Sequence, residues 1–148
     1  MGKRGHVRDG RAEAGVRGTG DRKGGRIFRL AGTISQGLPI DSGLAGELLP
    51  IPEDFIEEGE IIFRAAQWDL EEFGIEPGDL VVMEKRPTGQ AASGELVICM
   101  AGDRVFVGHW WAKSGRRALM SDRLSVTVEE DSLQVIGAIN AIVRWRSR

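Results

Sequence analysis

From residue 27 onward, apolar and polar positions alternate over short runs broken by turn residues, the period of strands that bury one face. Runs at residues 27–34, 60–65, 79–84, 95–100, 104–111, 117–120, 125–128 and 133–145 predict eight strands. Between them stand Pro77-Gly78, Pro87-Thr88-Gly89, Ser93-Gly94, Gly102-Asp103 and Ser114-Gly115, whose backbone preferences suit turns. The pattern predicts a mainly β fold, compact, with one or two short helical turns. Those turns are expected at residues 52–56 and 70–73, and Asp69, with Glu72 three residues on, reads as the N-cap of the second. The last strand is apolar throughout one face (Leu133, Val135, Gly137, Ile139, Ala141, Val143, Trp145) and mixed on the other, which carries Ile136 and Ile142. A long strand of this kind either joins two sheets or meets another subunit.

The first 25 residues follow no such pattern. They hold 8 of the 21 glycines and lack large apolar side chains, so they cannot bury enough surface to offset a backbone ordering cost of about 1–2 kcal/mol per residue. Residues 1–25 are therefore expected to be a disordered, Gly/Arg-rich basic arm, and residues 26–148 the β domain. Charge divides the chain at almost the same place. Residues 1–29 carry nine basic and three acidic side chains, a net +6, which leaves −8 for the rest of a chain of formal charge −2. Arginines spaced by glycine can neutralise phosphates without any fold, so a weak nucleic-acid contact stands beside the plainer use as a solubilising tail. No aromatic side chain is interleaved for base stacking, and Gly18-Thr19-Gly20 follows no strand and is no phosphate loop.

Composition adds exclusions. With 148 residues, 41% hydrophobic and 28% charged, the chain suits one soluble domain. Its apolar runs fall short of the roughly 20 residues that span a bilayer, and no secretory signal is apparent, so no membrane contact and a cytoplasmic location are expected. One cysteine, Cys99, excludes an internal disulfide and a cysteine-cluster zinc site. With only His6 and His109 beside it, neither a metal nor a cofactor is expected. Cys99 itself, in an apolar run, reads as a small core residue.

Four stretches carry a resemblance. They are Gly32-Thr33-Ile34-Ser35-Gln36-Gly37-Leu38-Pro39; Phe63-Arg64-Ala65-Ala66-Gln67-Trp68-Asp69-Leu70 with Gly74-Ile75-Glu76-Pro77-Gly78-Asp79-Leu80; Gly94-Glu95-Leu96-Val97-Ile98 with Arg104-Val105-Phe106-Val107-Gly108-His109; and Leu133-Gln134-Val135-Ile136-Gly137-Ala138-Ile139. In that order they resemble the cleavage-site strand, the nucleophile segment, the two strands leading to the lysine, and the closing strand of the C-terminal domain of the LexA/UmuD family. These are self-cleaving serine–lysine peptidases of the bacterial SOS response to DNA damage. The resemblance covers residues 29–146, with Gly74 to Leu80 its most specific piece, and a short arm before the β domain is more similar to UmuD than to LexA.

The family's chemistry needs a serine hydroxyl deprotonated by a buried, neutral lysine. Asp69 stands at the serine position and Gly108 at the lysine position. The family cuts after Ala or Cys and before Gly, whereas here Gln36 precedes Gly37. The resemblance thus implies a vestigial cleavage site at Gln36 and Gly37, no catalytic dyad, and a LexA/UmuD-like pseudopeptidase that binds a protein partner in regulating the DNA-damage response or transcription. Two readings stand beside it: an active self-cleaving serine peptidase with a displaced nucleophile, and a nucleic-acid-associated accessory protein that uses the basic arm. Substitution by an Asp69–His109 pair is disfavoured, because alternation turns His109 away from the face of Gly108. Trp68, Trp110 and Trp111 are candidates for a cleft or partner surface. The family's habit of dimerising through its last strand makes a homodimer the expectation, with Val135, Ile139 and Ile142 as its contact residues.

Overall fold

Alternation and turn chemistry produce the strands where the pattern places them. The structure, a computed structural model, describes residues 6–9, 25–122, 125–127 and 133–144. Ten strands occur among these residues: β1 His6–Asp9, β2 Gly25–Ile34, β3 Leu48–Pro52, β4 Ile61–Ala65, β5 Leu80–Lys85, β6 Leu96–Ala101, β7 Arg104–Lys113, β8 Arg116–Met120, β9 Ser125–Thr127 and β10 Gln134–Arg144. They form a mixed sheet in the order β3-β2-β4-β5-β10-β6-β7-β8-β9, with β1 also on β10. The fold is mainly β, as expected, and the helical content described is three short 3-10 turns, Glu53–Phe55, Trp68–Phe73 and Thr88–Gln90.

Two strands were not expected. β3 reads Leu-Leu-Pro-Ile-Pro, and prolines, which cannot donate to a ladder, argue against a strand except at a sheet edge; β3 is an edge strand. β1 falls within the stretch read as a disordered arm: His6–Asp9 runs parallel to β10, from His6 opposite Ala141 to Asp9 opposite Arg144. Residues 1–5 and 10–24 of that arm lie outside the described residues, as does Trp145 of the last strand.

β10 sits at the centre, with β5 along one side and β6 then β1 along the other. Register shifts between Val135 and Gly137, and again between Ile139 and Ala141, break the simple odd–even rule. As a result Val135 and Ala138 pack with Val97, Cys99, Trp110 and Leu119; Ile139 and Ile142 pack with Ile34, Leu70, Val105 and Val107; and Ala141 and Val143 pack with Leu30, Leu80 and Val82. The strand is buried on both faces because it joins three parts of the core. This bears on the expected dimer contacts: the side chains of Val135, Ile139 and Ile142 are buried in the chain's own core.

Candidate functional site

Where β2 ends, residues 35–39 cross to β7. The second half of β7, His109 to Lys113, pairs with β8, which leaves the first half free on that side. The crossing segment takes this place. Gly37 N–H donates to the Val105 carbonyl at 2.7 Å, and Val105 N–H donates to the Leu38 carbonyl at 2.9 Å. Two residues along β7 the partner changes from backbone to side chain: Val107 N–H donates to Gln36 Oε1, and Gln36 Nε2 donates to the Val107 carbonyl, both at 2.8 Å. Gly37 has φ +75°, a left-handed conformation that glycine adopts without a Cβ penalty, and it turns the segment between these two modes of pairing.

The main-chain N–H of Gln36 donates to Asp69 Oδ2 at 2.9 Å. Asp69 lies inside the turn Trp68–Phe73 and not at its cap. The cap is Gln67, extended and with no side-chain cap bond, so the carboxylate reaches across to Gln36 instead of closing its own turn. Oδ1 of Asp69 is buried and finds no hydrogen-bond partner among the described residues. Glu72 does not complete a capping box either: it accepts from Ser121 Oγ at 2.6 Å and Asp122 N–H at 2.7 Å, tying the turn to the end of β8.

Two features hold the turn in place. Leu70 and Ile75 anchor it in the core, and Gly74, at φ +78°, ends it with an N–H to the Glu71 carbonyl. Behind it, Arg144 donates from Nε to Asp79 Oδ1 at 2.9 Å, and from NH2 to Asp79 Oδ2 and the Gly74 carbonyl, both at 2.7 Å.

Gly108 has a different setting. A Cβ built there would lie 2.7 Å from the Met120 carbonyl oxygen and 2.9 Å from Leu119 Cγ, on the side of β7 opposite Val105 and Val107. Space for a longer side chain is closed by β8. The fold therefore brings Gln36, Gly37 and Asp69 together beside Val107, while the direction of any Gly108 side chain leads to a separate part of the core.

No family model matches the chain. Over 125 residues it is 26% identical to the LexA repressor of Syntrophotalea carbinolica, a match that covers 81% of this chain and 61% of that protein. The chain is similar to LexA. It spans about three fifths of the length of that relative. Together with the mainly β fold, the likeness supports a LexA-like domain.

Of the three tryptophans singled out, the LexA-like domain exposes two. Trp68 is 59% and Trp111 39% exposed, whereas Trp110 is 2% exposed and packs in the core beside Leu119. His109 meets Phe73 edge to face at 5.5 Å, and among the described residues the bond found for the Asp69 carboxylate is the one from the Gln36 N–H to Oδ2. Burial pushes the Cys99 thiol up to about 12, as suits a core residue. An open groove of about 630 Å³ runs past Ile40, Phe63, Met83 and Ile136, mostly apolar, with Lys85 and Arg86 also in its lining. Among the described residues no three His, Cys, Asp or Glu side chains gather as a metal site requires. Sequence reasoning missed one part of the site, the Gln36 carboxamide, which makes two bonds to β7. No local signal carries it, because the partner is 71 residues away.

Proposed function

We propose that this LexA-like domain is a non-catalytic binding module, a pseudopeptidase that seats its cleavage-like segment without cutting it and works by docking onto a protein partner. One observation carries the reading: the group that meets the Gln36–Gly37 segment is the Asp69 carboxylate, bonded to the Gln36 N–H at 2.9 Å. Serine–lysine chemistry needs a hydroxyl to attack and an uncharged amine to take its proton; a carboxylate, with the Gly108 position turned away from it and closed by β8, supplies neither. The likeness to a LexA repressor supports a role in transcription or the DNA-damage response, and it is consistent with a homodimer. Since Val135, Ile139 and Ile142 are interior, the side chains left for a partner surface include Trp68 and Trp111.

The test is intact mass. Held at about pH 10, where a lysine amine begins to lose its proton, the full chain stays at 16.2 kDa. A new N-terminus at Gly37 would overturn the reading in favour of an active self-cleaving peptidase. Light scattering addresses the dimer separately, and a monomer at tens of micromolar removes that part alone. The +6 balance of residues 1–29 supports one further contact, with nucleic acid, which retention that falls steeply with added salt would register.

A further inference from the structure

Charge on the β domain is unevenly placed. Residues 30–148 carry a net −8, yet residues 104–121 hold four basic side chains, Arg104, Lys113, Arg116 and Arg117, and no acidic one. Three of the four sit at the tip of the β7–β8 hairpin, where Lys113 pairs with Arg116 and Ala112 with Arg117. None of these three forms an ion pair among the described residues. Like charges directly opposite on a ribbon repel, so Lys113 across from Arg116 costs stability in the free protein, and an anion bound between them relieves it.

An aromatic ring lies beside these cations. Side chains two apart on a strand share a face, so His109, Trp111 and Lys113 line one face of β7 at steps of about 6.8 Å. Met120, Ala118 and Arg116 stand across from them on β8. Trp111 is 39% exposed, and the residue directly opposite, Ala118, is too small to cover its ring. Glu72 and Asp122 lie at the other end, beside His109 and Met120, so the face is basic only toward the tip. The tip has a defined shape. Ser114 at φ +53° and Gly115 at φ +77° form the left-handed two-residue turn whose twist suits a hairpin. At its base Ser93 Oγ accepts from the Ala112 N–H and donates to the Ala112 carbonyl, both at 2.9 Å.

We propose that this hairpin face binds single-stranded DNA, with Trp111 stacking on a base and Lys113, Arg116 and Arg117 taking the phosphates around it. Cations beside an exposed ring are the two features that hold a single strand without reading its sequence. A duplex keeps its bases stacked on one another, and an acidic protein surface would use the cations and leave the ring idle. Ala112 and Ala118, which flank the ring, offer no partner for the 2′-hydroxyl by which proteins select RNA. The site is separate from the contact drawn for residues 1–29 and does not depend on whether the chain cleaves itself, so the intact-mass test and the one below can fail independently.

The test is fluorescence anisotropy of a short labelled oligothymidylate titrated with the full chain at several salt concentrations. Trp111→Ala weakens binding about tenfold, within the usual worth of one base stacked on an aromatic ring. Combining Lys113→Gln, Arg116→Gln and Arg117→Gln makes the slope of log K against log salt shallower by about 2, since each phosphate contact on a single strand contributes about 0.7. Residues 1–29 are present in every variant, so a contact made by them alone would leave affinity and slope unchanged and overturn the proposal. Trp111→Ala leaves the binding of a duplex and of polyglutamate unaltered, because neither offers a free base. An equal loss with either would reassign the face to anions in general, and oligouridylate bound about tenfold tighter than oligothymidylate would reassign it to RNA; both results refute the proposal. Should Trp111→Ala disturb the hairpin, Trp111→Leu, which keeps apolar bulk and removes the aromatic face, carries the same readout.

Discussion

Replacing Arg144 with methionine asks whether the turn that presents Asp69 is held from behind by charge. Arg144 makes a bidentate pair with Asp79, Nε to Oδ1 at 2.9 Å and NH2 to Oδ2 at 2.7 Å, and NH2 also donates to the Gly74 carbonyl at 2.7 Å. The Asp79 side chain is 3% exposed and that of Arg144 15%. Methionine keeps most of the aliphatic stem and removes the donors, so the loss is electrostatic more than steric. Breaking a buried pair by deleting one partner costs about 3–5 kcal/mol, because the other charge is left in a poor solvent. Asp79 retains the Glu76 N–H at 2.7 Å, and water reaches the rim of Arg144, so the expected loss is at the low end, about 3 kcal/mol. For a domain of this size that lowers the melting midpoint by roughly 10 °C. Urea unfolding followed by tryptophan fluorescence measures it, with the slope against urea unchanged if the native state keeps its compactness. Adding Asp79→Leu to Arg144→Met should recover part of the loss, since an apolar pair avoids the stranded charge. A loss below about 1 kcal/mol for the single change would refute the reasoning, for it would place the pair with solvent-screened surface bridges.

The remaining expectations are narrower. Cys99, with its thiol pushed up to about 12 by burial, should resist a thiol reagent at neutral pH until the chain unfolds. Its ionisation also has a sign: the folded state holds the neutral thiol more firmly than the unfolded one, so this contribution is full below the ordinary value of 9.0 and is lost as pH rises from there toward about 12. Alkaline denaturation measured with and without Cys99→Ala isolates it. Gly108→Ala should destabilise by about 1–3 kcal/mol, because the new methyl meets the Met120 carbonyl at 2.7 Å and can be relieved only by moving β8; a neutral result in urea would show that β8 yields. Gly137→Ala should cost a similar amount, since its Cβ would strike the Met83 side chain and lie 2.6 Å from the Glu84 carbonyl, and the same assay reads it.

Much of the fold was legible because it rests on local rules. All eight strands read from alternation form, and the turn residues between them act as such, as at Gly74 and Gly78 around the most specific stretch of the resemblance. What failed did so for identifiable reasons. β3 was missed because proline counts against a strand unless its place at an edge is known, and place in a sheet is a tertiary fact. The faces of β10 were misjudged because two register shifts reset the parity; Gly137 inside the strand pattern signals the first, while nothing in Ile139-Asn140-Ala141 announces the second. Val135, Ile139 and Ile142 were read as partner contacts because both faces of the run carry apolar residues, yet Ile139 and Ile142 pack in one cluster and Val135 in another, all within the chain.

The candidate site divides along the same line. Motif order sufficed to bring Asp69 and the Gln36–Gly37 segment into one reading, and the bond between them places both in one site. It did not suffice for what Asp69 does there, since a capping pattern assumes that a side chain serves its own turn, while the donor that Asp69 accepts from is the Gln36 N–H, 33 residues earlier. Gln36 itself looked like a mere departure from a small residue before Gly37. Its length is what the position uses: the carboxamide spans the step from the segment's backbone to Val107 and matches both of that residue's polar groups at 2.8 Å. A shorter residue before Gly37 leaves the Val107 groups unmatched. The residue that departs from the family's cleavage pattern in the sequence is thus, in the fold, a point of attachment, because one carboxamide matches both polar groups of Val107.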